Sequence, residues 1–127
     1  MMNIPENLRY TENHEWIRKD GNKVFVGITD YAQGELGDIV FIEIETEGEK
    51  LLKGVTFGTI EAVKTVSDLF MPVSGTVSEV NPVLGDKPEL VNKDPYGEGW
   101  MIIIEMENLQ EIDGLLTPEQ YRALISA

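Results

Sequence analysis

The hydrophobic residues of this chain come in short β-branched or aromatic runs, each closed by glycine, proline or aspartate. That punctuation limits the fold more than any other feature. Val24-Phe25-Val26-Gly27, Ile39 to Ile44, Val55 to Ile60, Leu69 to Val73, Gly75 to Val80 and Trp100 to Met106 all read as strands. Strands this short, joined by Gly, Pro and Asp turns, predict a mainly β chain, a compact antiparallel sandwich or barrel. Between the first two runs, Thr29-Asp30 can cap a short helix over Tyr31 to Leu36 that Gly37 ends. Glu45 to Gly54 reads as a charged turn region. Gly37 to Leu51 and Gly75 to Leu90 echo each other weakly. Chance turn chemistry explains that echo as readily as two similar strand-turn-strand units facing each other with Lys64 between them.

After Met106 the period changes. Asn108 with Glu111, and Thr117 with Gln120, have capping-box spacing, and Pro118 stands where a first helical residue needs no N–H. Two short helices are predicted, Leu109 to Asp113 and Pro118 to Ser126, giving a C-terminal helical segment over about 108–126. In the second, Tyr121, Leu124 and Ile125 share a face that should pack on the sheet. A length of 127 residues fits one domain, residues 1–127.

Charge narrows the function classes. With 23 acidic against 10 basic residues the formal charge is −13, which repels phosphate backbones and anionic lipid headgroups, so neither nucleic acid nor membrane is an expected partner. The same charge favours partners with basic docking faces. The chain has no cysteine and one histidine, His14, which leaves no thiolate or His-pair metal site, so no metal is expected. His14, alone beside Trp16, reads as structural, and Trp16 and Trp100 as core or rim aromatics. Asp94-Pro95-Tyr96-Gly97-Glu98-Gly99 reads as a demanding turn with its glycines available for positive φ. No basic segment followed by an apolar run stands at Met1 to Tyr10, so a cytoplasmic location is expected; a mitochondrial matrix protein stripped of its transit peptide would read the same.

The chemistry-bearing candidate is Lys64, within Gly58-Thr59-Ile60-Glu61-Ala62-Val63-Lys64-Thr65-Val66-Ser67-Asp68, at the bend between two strands. A hairpin tip suits a lysine that another enzyme acylates, because the tip projects while the sheet below holds the backbone still. A turn lysine can equally be a solvated charge, and the local pattern leaves both readings open.

Longer blocks go further. Tyr10-Thr11-Glu12-Asn13-His14-Glu15-Trp16, then Val26-Gly27-Ile28-Thr29-Asp30-Tyr31-Ala32-Gln33 and Leu36-Gly37-Asp38-Ile39-Val40, then Asp94-Pro95-Tyr96-Gly97-Glu98-Gly99-Trp100, follow one another in the order and spacing of a known family. Over roughly residues 7–126 the chain resembles the H proteins of the glycine cleavage system. The family's lipoyl-bearing segment Glu-Ser-Val-Lys-Ala reads here Glu61-Ala62-Val63-Lys64-Thr65, with Ala62 and Thr65 as mild departures. The resemblance implies a flattened pair of antiparallel sheets, a barrel-sandwich hybrid with the lipoyl lysine on a hairpin, and lipoate as a cofactor attached covalently to Lys64.

It also implies a carrier rather than an enzyme. Glycine is decarboxylated on the pyridoxal phosphate of the P protein, its aminomethyl group passes to the lipoyl arm, the T protein passes the one-carbon unit to tetrahydrofolate, and the flavin-containing L protein reoxidises the arm. Those three proteins and a lipoate-attaching enzyme are the implied partners, and a carrier visiting several active sites is expected to be a monomer. By the same resemblance the loaded arm folds into a cleft. Glu15 and Asp68 would hold the aminomethyl cation there, Asn13 would stand where the family often has serine, and Ile28, Ala32 and Leu36 would form an apolar wall.

Three alternatives bear on this reading. Biotinyl carriers share the lysine hairpin but place methionine on both sides of the lysine, where this chain has Val63 and Thr65. An H-like protein can also serve as a lipoate relay that donates lipoyl groups to other acceptors. An enzyme reading lacks support, since no phosphate-binding glycine loop or nucleophile with a partnered base is visible.

Overall fold

A computed structural model of the chain describes residues 3–126. Among these residues nine strands form two antiparallel sheets: β1 (Arg9–Tyr10), β2 (Glu15–Asp20), β3 (Lys23–Ile28), β4 (Ile39–Glu43), β5 (Lys50–Leu51), β6 (Thr56–Ala62), β7 (Val66–Phe70), β8 (Gly75–Val80) and β9 (Ile102–Met106). One sheet has six strands in the order β1-β2-β3-β9-β8-β5, and the other has three in the order β4-β6-β7. The expected two-sheet, mainly β architecture is therefore what forms, without closure into a barrel.

Alternation along the strands explains why the sheets stack. On β2 and β3, Ile17, Val24, Val26 and Ile28 point inward to join Ile39, Phe57, Ile60 and Leu69 from the three-stranded sheet in one core. Their outward neighbours belong to a second cluster, where Trp16 and Tyr10 are buried and Phe25 packs against them beneath the C-terminal helix. Gly27 permits this layer. A Cβ there would stand 2.7 Å from the Trp16 indole, whose Nε1–H donates to the Pro95 carbonyl at 2.8 Å.

Helix α1 (Asp30–Leu36) follows β3, and its boundaries are those its caps dictate. Thr29 Oγ1 accepts from the Ala32 N–H at 3.2 Å, and Gly37 closes the helix at φ 81° with its N–H donating to the Gln33 carbonyl. Two further pieces were not foreseen: a 3₁₀ turn at Pro82–Gly85 and the four-residue α2 (Leu90–Lys93). After β9 come a 3₁₀ helix at Leu109–Gly114 and α3 (Pro118–Ser126). At α3 the capping box is reciprocal, with Gln120 N–H on Thr117 Oγ1 at 3.2 Å and Thr117 N–H on Gln120 Oε1 at 3.0 Å. Among the described residues, no helix is long and apolar enough to cross a membrane.

The structure corrects several local expectations. Asn108 caps its 3₁₀ helix by accepting from Gln110 N–H, but the Glu111 carboxylate turns away to Ser74, accepting from its N–H at 2.7 Å. On α3 Tyr121 is buried and Ile125 partly so, whereas Leu124 is exposed, which narrows the packed face. The strand expected over Leu69 to Val73 lies instead at Val66–Phe70, because Pro72 has no N–H to donate to a ladder. In the Asp94 to Gly99 turn the glycines do not take positive φ; close approach requires them, since a Cβ on Gly99 would stand 2.8 Å from both the Leu90 and Asp94 carbonyl oxygens. The echo between Gly37–Leu51 and Gly75–Leu90 does not persist either. Its first half ends in β5, its second in α2.

Candidate functional site

Lys64 stands at the tip of the β6–β7 hairpin, exposed, between Val63 and Val66, which are 70% and 62% exposed. The tip is braced from two sides. Ala62 N–H donates to the Thr65 carbonyl at 2.8 Å, and Val63 N–H donates to the Asp38 carbonyl at 3.2 Å. The side chain thus projects from a backbone held by its own strand partner and by the loop after α1.

That loop is itself tied down by Asn92 on α2. Its Oδ1 accepts from Ile39 N–H at 2.9 Å, while its amide donates to the Gly37 carbonyl and to Gln33 Oε1, each at 2.9 Å. A groove of about 410 Å³ runs between this loop and the tip, lined by Gly34 to Asp38 on one side and by Val63 and Lys64 on the other. Glu35 and Leu36 line both this groove and a second concavity.

The second concavity is a cleft of about 250 Å³. It gathers all six residues assigned to an arm-holding cleft: Asn13, Glu15, Ile28, Ala32, Leu36 and Asp68. They come from the β1–β2 turn, β2, the end of β3, α1 and β7. Ile28, Ala32 and Leu36 form an apolar side together with Ile60 and Leu69. Glu15, Glu35 and Asp68 bring three carboxylates, and neither lysine nor arginine lines the cleft, so its electrostatics favour a cationic occupant.

The two acids foreseen there sit in different surroundings. Asp68 is exposed at the mouth of the cleft. Glu15 is only 2% exposed, and burial pushes its carboxyl up to about 7. Two donors oppose that shift, Phe70 N–H at 2.8 Å on Oε2 and Thr11 Oγ1–H at 3.1 Å on Oε1. A positive charge brought beside Glu15 would favour its ionised form.

His14, read from sequence as structural, lines the same cleft. Its ring lies 4.9 Å from that of Tyr31, and burial lowers its pKa from the ordinary imidazole value, with Glu35 acting in the opposite direction. Its φ of 66° is the one positive value at a non-glycine position among the described residues. Single occurrence and an aromatic neighbour gave no sign of this in the sequence. Tyr31, Glu35, Ile60 and Leu69 were also missed as lining residues, because helix and strand positions facing a cleft look like any other amphipathic face.

An exposed lysine thus stands on a braced hairpin, beside a groove that shares Glu35 and Leu36 with an acidic, apolar-walled cleft. The family model for the glycine cleavage H-protein matches residues 8–127. The chain is 60% identical over 126 residues to the glycine cleavage system H protein of Bacteroides fragilis, covering 99% of this chain and all of that protein. It is 55% identical over 125 residues to the H protein of Geobacillus kaustophilus, covering 98% of each. A crystal structure of a glycine cleavage system H protein from Mycobacterium marinum superposes with a TM-score of 0.88 at 38% identity, covering 98% of this chain and all of the other. The chain belongs to the glycine cleavage H-protein family, a carrier component of that system.

Proposed function

We propose that Lys64 bears a lipoyl group in amide linkage, and that the chain shuttles the aminomethyl group of glycine from the P protein to the T protein, with the L protein reoxidising the arm. The observation that carries this reading is the placement of the cleft beside Lys64: the groove that Lys64 lines and a chamber with an apolar side and three carboxylates share Glu35 and Leu36 as walls. The residues present fit the group. A hydrocarbon tether ending in a dithiolane needs apolar wall, which Ile28, Ala32 and Leu36 offer, and an attached ammonium needs nearby negative charge, which Glu15 and Asp68 offer.

The lipoyl group supplies the disulfide that accepts the aminomethyl unit. The chain's own residues do the rest. Amide formation removes the Lys64 charge, so the tether can lie along the groove without desolvating an ammonium. The Ala62–Thr65 and Val63–Asp38 bonds keep the attachment point in place for an enzyme working on Nζ. A unit lying against the cleft's apolar side should meet less water than one free in solution, which would slow its hydrolysis. With its carboxyl near 7, Glu15 should release a proton as the cationic unit settles beside it.

The test is direct. Lys64→Arg keeps the charge but removes the acceptor amine. Incubation with lipoate and a lipoate-attaching enzyme should add one lipoyl mass to the wild type, located on the Lys64 peptide, and none to the variant. In a system reconstituted with P, T and L proteins, the variant should support no glycine cleavage; retained activity would refute the reading.

A further inference from the structure

The C-terminal helix reaches the cleft through one hydroxyl. Tyr121 is fully buried on α3, and its phenol oxygen lies 2.7 Å from Thr29 Oγ1 and 2.9 Å from His14 Nδ1. Those two residues stand side by side where β2 begins and β3 ends, next to the paired cleft residues Glu15 and Ile28. His14 sits in the turn that carries Asn13 and Glu15, while Thr29 is the N-cap of α1, which carries Tyr31, Ala32 and Leu36. The backbones also touch there, with Thr29 N–H on the His14 carbonyl at 3.0 Å.

The bonding closes without an unmet partner. Thr29 Oγ1 accepts from Ala32 N–H and has one proton to give to the Tyr121 oxygen. With the imidazole neutral, the state that burial favours, and its proton on Nε2, Tyr121 then gives its own proton to His14 Nδ1. Stacking of the Tyr10 ring on that of Tyr121, centroids 4.6 Å apart and 9° from parallel, keeps the phenol in position independently of its hydroxyl.

His14 shows that something holds it. A histidine at φ 66° is in a sparsely occupied region of backbone space, and such residues persist where their surroundings over-determine them. Four contacts do so here: the Tyr121 hydroxyl, the Thr29 N–H, the Tyr31 ring, and the Thr11 carbonyl, which accepts from His14 N–H at 3.1 Å. The hydroxyl is the one that joins the His14 ring to a second side chain, that of Thr29.

We propose that Tyr121 is a positioning residue of the cleft: its hydroxyl clamps His14, which lines the cleft, to the Thr29 cap of α1, and so sets the position of His14 and the lifetime of the unit held in the cleft. The inference rests on the reading that the cleft shelters the loaded arm. Tyr121 touches neither the arm nor Lys64, and acts through His14 and Thr29 alone.

Tyr121→Phe removes the hydroxyl and keeps the stacked ring. In the apo protein, ¹⁵N spectra of the chain's single histidine report the Nδ1 bond directly, and that signal should move in the variant. On lipoylated, aminomethyl-loaded protein, hydrolysis consumes one water and frees formaldehyde and ammonium, leaving the dithiol; its rate should rise roughly threefold to tenfold, as expected for one lost neutral hydrogen bond. Lipoylation of Lys64 should keep its wild-type rate. In a His14→Ala background the clamp is already open, so adding Tyr121→Phe should have no further effect.

An unmoved Nδ1 signal, an unchanged hydrolysis rate, or an equal acceleration in both backgrounds would overturn the clamp; the last would mean only that α3 had loosened. If the wild-type adduct hydrolyses as fast as free aminomethyl-lipoamide, the sheltering reading fails, and with it the clamp's role in retention.

Discussion

The carboxylate of Glu15, on the six-stranded sheet, accepts from the backbone N–H of Phe70, on the three-stranded sheet, at 2.8 Å. The bond joins the two layers at the inner end of the cleft, and an acid performs it where burial opposes ionisation. Because the folded carboxyl titrates at about 7 and an ordinary one at 4.5, the native state binds more protons than the unfolded chain between those values. Stability from this group is fully present below about 4.5 and is lost as pH rises through 7. Glu15→Gln keeps an acceptor for Phe70 and removes the titration. Denaturant unfolding from pH 5 to 8.5 should show the variant gaining on the wild type as pH rises, by on the order of 2–3 kcal/mol at the alkaline end. A pH-independent difference would count against the raised value.

Glu15 and Asp68 should hold a cation differently. Asp68 is exposed, so its attraction for an ammonium is screened by salt, whereas the attraction of buried Glu15 is screened much less. Asp68→Asn should shorten the lifetime of the loaded arm by about threefold at low ionic strength and by less near 0.5 M salt. Glu15→Ala should shorten it more, with little salt dependence. Measuring ammonia release across a salt series in both variants checks the difference, and equal salt dependence would show that the cleft does not rank the two acids this way.

Much of this arrangement was legible in the sequence, for reasons that differ by element. The Gly75–Val80 strand and the Thr29 to Gly37 helix announce themselves because a local rule sets each boundary: a glycine, a cap, or a helical stop. Strand β2 was not seen because Glu15-Trp16-Ile17-Arg18-Lys19-Asp20 is too charged to read as a strand, although only its far end is exposed. Its partner β1 and the two-residue β5 are made by tertiary pairing, not by propensity. At the site, resemblance supplied the positions of Glu15 and Asp68, while His14 and Tyr121 stayed hidden. Their contact spans 107 positions in the chain, and no local pattern encodes it.

The outer aromatic layer makes a sharper demand than its sequence suggests. Gly27 faces Trp16 across the β2–β3 pair, and an added methyl would enter the indole at 2.7 Å. The indole has little freedom to retreat, since its Nε1–H is bonded to Pro95 and its ring is buried. Gly27→Ala should cost about 1–3 kcal/mol by overpacking. Chemical denaturation followed by tryptophan fluorescence checks this, and a loss under 0.5 kcal/mol would mean that the Asp94 to Trp100 turn moves away freely.

Helix α2 bears on the lysine at a distance. Asn92 fixes Gly37 and Ile39, and the Asp38 carbonyl between them accepts from Val63 N–H, beside Lys64. If this chain of bonds keeps the tip in place, Asn92→Ala should loosen it while leaving the sheets intact. The expected loss of global stability is about 1–2 kcal/mol, for one side chain with three partners at a half-buried site. The local effect should exceed the global one. Amide exchange at Ile39 and Val63 should quicken about tenfold relative to core amides such as Val26, once the change in global stability is subtracted. Lipoylation of Lys64 should slow as well, because a tip that wanders presents its amine less often in the geometry an attaching enzyme needs. Uniform acceleration of exchange across both sheets would show instead that Asn92 stabilises the whole fold and has no particular hold on the hairpin.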